Sequence, residues 1–248
     1  MGDEGTGTMT RAHSSAFYAM SPGGWHDYWT MLHPPYTAWH LSYVLVGAAL
    51  APAPDPRIVL GGLLAFGLAV GVGAHALDEL HGRPLGTQIP APVLASLGVV
   101  GIVMAAGLGI VAASIVGGPF LVLVAIGVVL AAAYGFEIKP VHTDLGFALA
   151  WGAFPVVATA YAVGASPVAT LLAALGAALL SLAQRRLSTL VRAVRRRAVE
   201  VTGQIVYRDG ATEHIDAVSL IAVPEGALRL LWPAAVLTAG GMLIARWL

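Results

Sequence analysis

The chain has 248 residues, of which 58% are hydrophobic and only 10% are charged, and its formal net charge at pH 7 is zero. Soluble domains carry about 25% charged residues, so this composition excludes a water-soluble globular protein and predicts a surface that faces lipid. The chain contains no cysteine, which excludes disulfides, thiolate nucleophiles and cysteine-bound metal ions.

Seven segments are apolar enough to form membrane-spanning helices, because each is close to the roughly 20 residues that a bilayer core requires. The segments between them carry proline, glycine or charged residues. The predicted spans are 35–51, 58–77, 91–115, 119–135, 145–163, 167–183 and 228–245. This pattern predicts an all-α fold, namely a polytopic transmembrane bundle of about seven helices.

These spans divide the chain into four predicted regions. Residues 1–34 are a cytoplasmic N-terminal segment with an interfacial aromatic stretch, and residues 35–183 are a six-span transmembrane bundle. Residues 184–227 are a cytoplasmic insertion, and residues 228–248 are the last span.

The insertion before the last span has two parts. Leucine and valine recur at helical spacing between arginines after the sixth span, which predicts a basic amphipathic helix. Two β-prone runs then flank Asp209 and Gly210, a pair that is typical of a hairpin turn. We therefore expect a small β-hairpin, followed by a short helix from about Ala217 that leads into the last span.

Basic residues are concentrated on one side of the predicted bundle. With the N-terminus inside, eleven Lys and Arg residues, including Arg11, lie in inner segments, and two, Arg57 and Arg246, lie in outer segments. The positive-inside rule then predicts an integral inner or cell membrane protein with a cytoplasmic N-terminus and an external C-terminus.

A first polar cluster follows the second span. His75, Asp78 and Glu79 share one face of a helix at positions i, i+3 and i+4. Two carboxylates at the mouth of a membrane cavity can hold Mg²⁺, which binds one or two carboxylates together with substrate phosphates. The alternative is a helix end with solvated charges, although ionisable residues at membrane depth are usually functional.

Two further polar clusters lie on the same side, one in the loop after the fourth span and one at the end of the sixth. Their candidate residues are Tyr134, Lys139, His142, Asp144, Arg185 and Arg186. Arginine is suited to phosphate and diphosphate groups. The alternatives are an ordinary positive-inside loop and an arginine-rich helix that binds anionic lipid head groups.

Polar residues also occur at the first span. His33, Trp39 and His40 could line the same cavity as the cluster at His75. A histidine in this position could equally be a satisfied hydrogen-bond donor between helices.

The order of these motifs resembles the UbiA superfamily of intramembrane prenyltransferases. Residues 33–39 are similar to its aromatic and proline-rich entry into the first helix. Residues 75–79 and 83–85 are similar to a shortened Asp-rich motif that runs into Arg-Pro-Leu, and Tyr134 and Lys139 to its Tyr and Lys pair. The resemblance covers most of residues 25–185 and implies an all-helical bundle with a cavity that faces the cytoplasm.

The resemblance implies an enzyme that acts on an isoprenyl diphosphate, with Mg²⁺-assisted loss of diphosphate and prenyl transfer to an aromatic or lipid acceptor. Asp78 and Glu79 would hold Mg²⁺, and the catalytic set would be Asp78, Glu79, Tyr134, Lys139 and Asp144. Diphosphate would be bound by Arg83, Lys139, His142, Arg185 and Arg186. The cavity would be lined by His33, Trp39, His40 and His75.

Two departures from the family pattern keep other functions open. His75 stands where Asn is usual, and the second Asp-rich motif is missing, since no Asp or Glu occurs in residues 145–199. The alternatives are a terpene cyclase of the same type, and a non-catalytic protein that binds an isoprenoid or quinone or scaffolds another membrane protein. A zinc or iron enzyme and a transporter are further alternatives, the former with the ligands His75, Asp78, Glu79, His81 and His142.

The expected partners follow from these functions. They are a prenyl diphosphate, a hydrophobic acceptor and membrane lipids, and no nucleic acid is expected. The edge of the predicted hairpin could dock a protein partner.

Overall fold

The computed structural model describes residues 14–139 and 141–248. The first part of the predicted N-terminal segment, with Arg11, lies outside the described residues. The described residues form eight helices and two strands: α1 Trp25–Met31, α2 Pro34–Ala49, α3 Pro56–Leu80, α4 Ala91–Val116, α5 Phe120–Gly135, α6 Asp144–Ala162, α7 Pro167–Arg197, β1 Gly203–Val206, β2 Thr212–Ile215 and α8 Ala217–Ile244.

Helices α2 to α8 match the seven predicted spans to within two residues, apart from the extra turns that α3, α7 and α8 add at the polar end. Five of them (α3, α4, α6, α7 and α8) are long and apolar enough to cross a membrane by length and composition. Large apolar side chains on the outer faces are exposed, as for Leu172 and Leu237. This pattern is expected of an integral membrane protein, whose outer surface contacts lipid, and the predicted all-α membrane bundle is confirmed.

Short connections make consecutive helices run antiparallel, and the polar loops gather at one end of the bundle. Loops 81–90 and 136–143 and the insertion 198–216 all connect helices at this end, which we call the polar end. α8 packs mainly against α2, and α7 packs mainly against the middle of α6.

The predicted hairpin is confirmed. β1 and β2 pair antiparallel with Gly203 opposite Ile215 and Val206 opposite Thr212. Gly210 has a φ of 86°, a conformation that favours glycine, in the turn between the strands. α7 continues without a break through the predicted amphipathic segment, and α8 continues without a break from its start into the last span.

Glycine allows two pairs of helices to approach closely. A Cβ at Gly101 of α4 would lie 2.8 Å from the carbonyl oxygen of Leu68 in α3. A Cβ at Gly152 of α6 would lie 2.6 Å from the carbonyl oxygen of Ala177 in α7. Small residues at such contacts are the usual means by which membrane helices pack.

Two helices contain a π-helical stretch, Gly67–Ala74 in α3 and Ala148–Ala153 in α6. Such stretches are rare and occur frequently at functional sites. Here they carry Val70, Ala74 and Trp151, which all border the same internal space.

Candidate functional site

A cavity of about 270 Å³ lies at the polar end of the bundle. It is bordered by the ends of α3, α5 and α7, by α2 and α6, and by a segment that precedes α1. A wider vestibule of about 1050 Å³ adjoins it, and the two share Ser15, Phe17, Pro84 and Arg196. The segment that contains Ser15 and Phe17 therefore lies between the inner cavity and the vestibule.

One wall of the cavity carries acid, phenol and imidazole groups. Asp78 comes from the last turns of α3, Tyr134 from the end of α5, and Glu137 and His142 from the loop that follows. The His142 ring stacks on Tyr134 with centroids 4.5 Å apart, and its Nδ1 donates to the Tyr134 carbonyl oxygen at 3.4 Å. Within the described part of the chain, no hydrogen bond or ion pair engages the Asp78 carboxylate.

A second wall is one face of α7, with Gln184, Arg185, Ser188, Arg192 and Arg196. Arg185 Nε lies 3.3 Å from Asp144 Oδ1, and its Nη1 donates to Tyr134 Oη at 3.3 Å. A positively charged, arginine-rich face thus borders the same space as the acidic wall.

Histidines and aromatic rings form the deeper part of the cavity. The rings of His33 and His75 have centroids 4.4 Å apart, and His40 Nδ1 donates to the Trp151 carbonyl oxygen at 3.1 Å. The hydroxyl of Tyr18 pairs with His33 Nδ1. Burial lowers the pKa of His33 well below its ordinary value, with the charges of His75 and Arg196 acting in the same direction. Burial also raises the pKa of Tyr18, so both groups are uncharged near neutral pH.

A second, apolar pocket of about 90 Å³ adjoins the cavity within the bundle. Its lining is apolar, and it shares Val70 and Trp151 with the polar cavity. An elongated molecule with a charged head and a hydrocarbon tail could therefore reach both spaces.

The chain superposes on the structure of a UbiA homologue from Archaeoglobus fulgidus bound to Cd²⁺, with a TM-score of 0.54 and 14% sequence identity. The match covers 89% of this chain and 76% of that one. The chain has the UbiA fold. The sequence matches no protein-family model and no curated protein. The predicted resemblance to the UbiA superfamily is thereby confirmed at the level of the fold.

On this UbiA fold, seven of the thirteen predicted site residues line the cavity, namely His33, His40, His75, Asp78, Tyr134, His142 and Arg185. The other six do not line it, namely Trp39, Glu79, Arg83, Lys139, Asp144 and Arg186.

Glu79 is fully buried and points into the loop 81–90. Its Oε2 accepts from the backbone N–H of Leu85 at 2.9 Å. Its Oε1 accepts from the backbone N–H of Thr87 at 2.9 Å and from the Thr87 hydroxyl at 2.8 Å. Both oxygens therefore hold this loop in place, and neither faces the cavity in which Mg²⁺ was expected.

Three basic residues of the predicted set lie outside the cavity, each at a different place. The Arg83 guanidinium lies 3.1 Å from the Thr87 carbonyl oxygen and borders the vestibule. Arg186 has 72% of its side chain exposed and pairs with Asp144 at 3.2 Å. Lys139 is exposed in the loop after α5.

Asp144 and Trp39 are both used for packing and pairing. Asp144 begins α6 and pairs with Arg185 and Arg186, which joins the start of α6 to α7. Trp39 is buried in the core between α2, α7 and α8, where its Nε1 donates to the Tyr43 hydroxyl at 2.6 Å. The expectation that Trp39 lines the cavity is therefore not met, because its ring points about 100° away from His40 around α2 and packs into the core.

The candidate metal ligands at the cavity are few. Among the described residues, no three His, Asp or Glu side chains are grouped so that they could hold a metal ion. The cavity contains two carboxylates, Asp78 and Glu137, of which Glu137 is exposed. The predicted pair of Asp78 and Glu79 does not converge on one point, so the residues do not fit the Mg²⁺ site that was expected.

Several cavity residues were not among the predicted site residues, namely Glu137, Gln184, Ser188, Arg192 and Arg196. Arg192 and Arg196 follow Arg185 at i+7 and i+11, which places all three on one stripe of a helix. This spacing is visible in the sequence and would have assigned the pair to the same face as Arg185.

Proposed function

We propose that this chain is an intramembrane enzyme that binds an isoprenyl diphosphate and transfers the prenyl group to a hydrophobic acceptor. The observation that carries the proposal is the arginine-lined cavity and its junction with an apolar pocket at Val70 and Trp151. The UbiA fold and its lipid environment support it. We further propose that the polar end faces the cytoplasm, in line with its excess of Lys and Arg.

The two spaces suit the two parts of such a ligand. The diphosphate would lie against Arg185 and the other arginines of α7, because guanidinium groups form strong, charge-assisted hydrogen bonds with phosphate oxygens. The hydrocarbon chain would extend past Val70 and Trp151 into the apolar pocket, where its burial is favourable.

Transfer requires that the bond between the prenyl carbon and the diphosphate oxygen breaks. Both electrons leave with the diphosphate, and an allylic cation remains. Arginine side chains fixed near the departing oxygen stabilise the negative charge that develops there. The rings of Tyr134, Phe147 and Trp151 line the same space and attract a cation through their faces.

The cation is then captured by the acceptor. The nucleophilic atom of the acceptor bonds to the prenyl carbon and releases a proton. Asp78 is suited to accept this proton, since its carboxylate borders the cavity and no other described residue hydrogen-bonds to it. Capture of the cation by an alkene of the same prenyl group would instead make the protein a cyclase.

The Mg²⁺ that the sequence led us to expect is not part of this proposal, and no step above depends on it. Only one of its two expected ligands, Asp78, borders the cavity. The UbiA homologue was solved with Cd²⁺, so a divalent ion is included as one arm of the experiment.

The second candidate is a non-catalytic protein that binds an isoprenoid lipid. It is favoured by the engagement of Glu79 and Asp144 in structural contacts, which leaves few acidic groups for chemistry. The hairpin would then be the element that contacts a protein partner, and that contact also remains a prediction.

The test is pyrophosphate release by detergent-purified protein supplied with prenyl diphosphates of ten to twenty carbons, with and without aromatic acceptors. We expect release by the wild type. We expect a loss of about 10²- to 10³-fold in Arg185→Gln, the usual cost of removing one group that stabilises a departing anion. Arg197→Gln, on the exposed end of the same helix, serves as the control and should leave the rate unchanged.

Each outcome has a clear consequence. Product that appears only with an acceptor identifies a transferase, and a prenyl-derived ring product without acceptor identifies a cyclase. Binding of prenyl diphosphate without release of pyrophosphate, by protein that unfolds cooperatively, would favour the non-catalytic candidate. Absence of both binding and release would refute the proposal.

A further inference from the structure

Three arginines form one stripe along α7 where it borders the cavity, and two of them have no acidic partner among the described residues. Arg185 is the deepest and pairs with Asp144. Arg192 donates to the Thr189 hydroxyl at 3.3 Å, and Arg196 donates to the Ser15 carbonyl oxygen at 3.2 Å. Within residues 14–139 and 141–248, neither Arg192 nor Arg196 has a carboxylate within salt-bridge distance.

The charges of the stripe act on one another. Arg192 is half-buried and lies within range of the charges of both Arg185 and Arg196. Like charges that are partly withdrawn from water raise the free energy of the folded state unless an opposite charge binds between them. The arrangement thus favours an anion with several negative charges.

An uncharged donor stands on the same face. Gln184 is 2% exposed, and its buried Oε1 has no hydrogen-bond partner among the described residues. A primary amide offers two N–H donors as well as its oxygen, and the orientation of an amide is assigned from its partners. Gln184 can therefore turn its N–H groups toward a phosphate oxygen that lies in the cavity.

Two acidic groups next to the cavity are engaged in structural contacts. Glu79 holds the loop 81–90 and Asp144 pairs with two arginines. The inner cavity is lined by three guanidinium groups and two carboxylates, so its formal charge is positive. A positive cavity repels a free divalent cation and attracts a diphosphate.

We infer that the cavity binds the diphosphate head of its ligand through Arg185, Arg192, Arg196 and the amide of Gln184, without a divalent cation. The guanidinium groups supply the charge compensation that bound metal ions would otherwise supply. This inference rests on the proposed function, because it specifies how the same ligand is held.

The test measures binding of a fifteen-carbon isoprenyl thiodiphosphate, which resists hydrolysis, to the full chain in detergent by calorimetry. One arm contains EDTA and the other contains millimolar Mg²⁺. We expect affinities within about threefold of each other in the two arms, and a steep loss of affinity with added salt, since the contact is ionic. Arg192→Gln should weaken binding about ten- to a hundredfold in EDTA, the size expected for one charge-assisted hydrogen bond.

Controls separate the inference from the proposed function. Arg197→Gln should bind as the wild type does. Arg196→Gln provides a second test of the stripe in case Arg192→Gln does not fold. Binding that appears only with Mg²⁺ would overturn the inference and leave the proposed function standing. Absence of binding in both arms would overturn the two together, and unchanged affinity in both folded variants would overturn the assignment of the stripe.

Discussion

Replacement of Glu79 tests whether this carboxylate is a structural anchor or a metal ligand. In the structure its two oxygens accept three hydrogen bonds, from Leu85 N–H, Thr87 N–H and the Thr87 hydroxyl, at a fully buried position. Hydrogen bonds to charged groups contribute about 1.5–3 kcal/mol each, and a buried donor left without a partner costs about 1–3 kcal/mol. These terms are not additive, and we expect Glu79→Ala to lower the free energy of unfolding by about 3–5 kcal/mol.

Glu79→Gln should cost less than Glu79→Ala, because the amide keeps one acceptor oxygen. It should still lower the free energy of unfolding by about 1–3 kcal/mol, because its N–H₂ group faces a second donor. Thermal unfolding in detergent measures the global effect. Hydrogen exchange at the Leu85 and Thr87 amides measures the local one, since both donate directly to Glu79. Exchange at these two amides should increase in both variants.

Asp78→Asn is the matched control, one residue earlier on the same helix. Asp78 is half-buried and forms no hydrogen bond with another described residue, so its neutralisation should leave stability within about 0.5 kcal/mol. The anchor role of Glu79 would be refuted if Glu79→Ala kept wild-type stability and loop protection but lost affinity for Mg²⁺.

Three further predictions concern packing, pH and the hairpin. Gly152→Ala should cost about 1–3 kcal/mol in thermal unfolding, because its Cβ would lie 2.6 Å from a backbone oxygen of α7, whereas Gly176→Ala, with open space around it, should cost nothing. Burial lowers the pKa of His33, so the unfolded chain takes up its proton first and stability should fall as the pH drops below about 6.5. Asn tolerates the left-handed backbone at this position, so the His33→Asn variant should fold. Its stability should fall less than that of the wild type between pH 7.5 and 5.5, and an equal fall would contradict the role of His33 in this pH dependence. Valine at position 210 would be strained at a φ of 86°, so Gly210→Val should disrupt the hairpin, which circular dichroism measures. Ligand binding should be unchanged, because the hairpin does not line the cavity.

The spans and the hairpin could be predicted because each depends on local sequence. Apolar runs of membrane length specify helices, and the Asp209-Gly210 pair specifies a tight turn between two β-prone runs. The extension of α7 beyond the sixth span was also visible, since leucine and valine keep a helical spacing among the arginines. None of these features requires a partner distant in the chain.

The metal pair could not be judged from the sequence, because its geometry depends on the loop that follows. Asp78 and Glu79 are adjacent on a helix and therefore point about 100° apart. His75 and Asp78 both border the cavity, while Glu79 is directed at Leu85 and Thr87. Only the path of loop 81–90 decides which of the two carboxylates bonds to the loop and which faces the cavity.

The role of the outer arginines depended on a contact that no local pattern indicates. Arg192 and Arg196 lie beyond the predicted span, where arginines commonly contact lipid head groups. In the folded chain, residues that precede α1 cross over them, with the Ser15 carbonyl bonded to Arg196 and Tyr18 paired with His33. This crossing makes a wall of the cavity from a part of α7 for which the sequence left contact with lipid head groups as an alternative.

The acids and bases at the polar end have separate tasks. Asp27 accepts from the backbone N–H groups of Gly23 and Gln88, at 3.0 and 2.9 Å, and so ties the segment before α1 to the loop that Glu79 holds. Glu225 pairs with Arg195 and Arg229, each at 2.7 Å, and joins α7 to α8. The carboxylates of Asp27 and Glu225 thus hold the rim of the cavity together and do not enter it. The guanidinium groups that remain inside are then compensated only in part, and this imbalance of charge, which no single motif displays, is the strongest reason to expect that the ligand brings an anion.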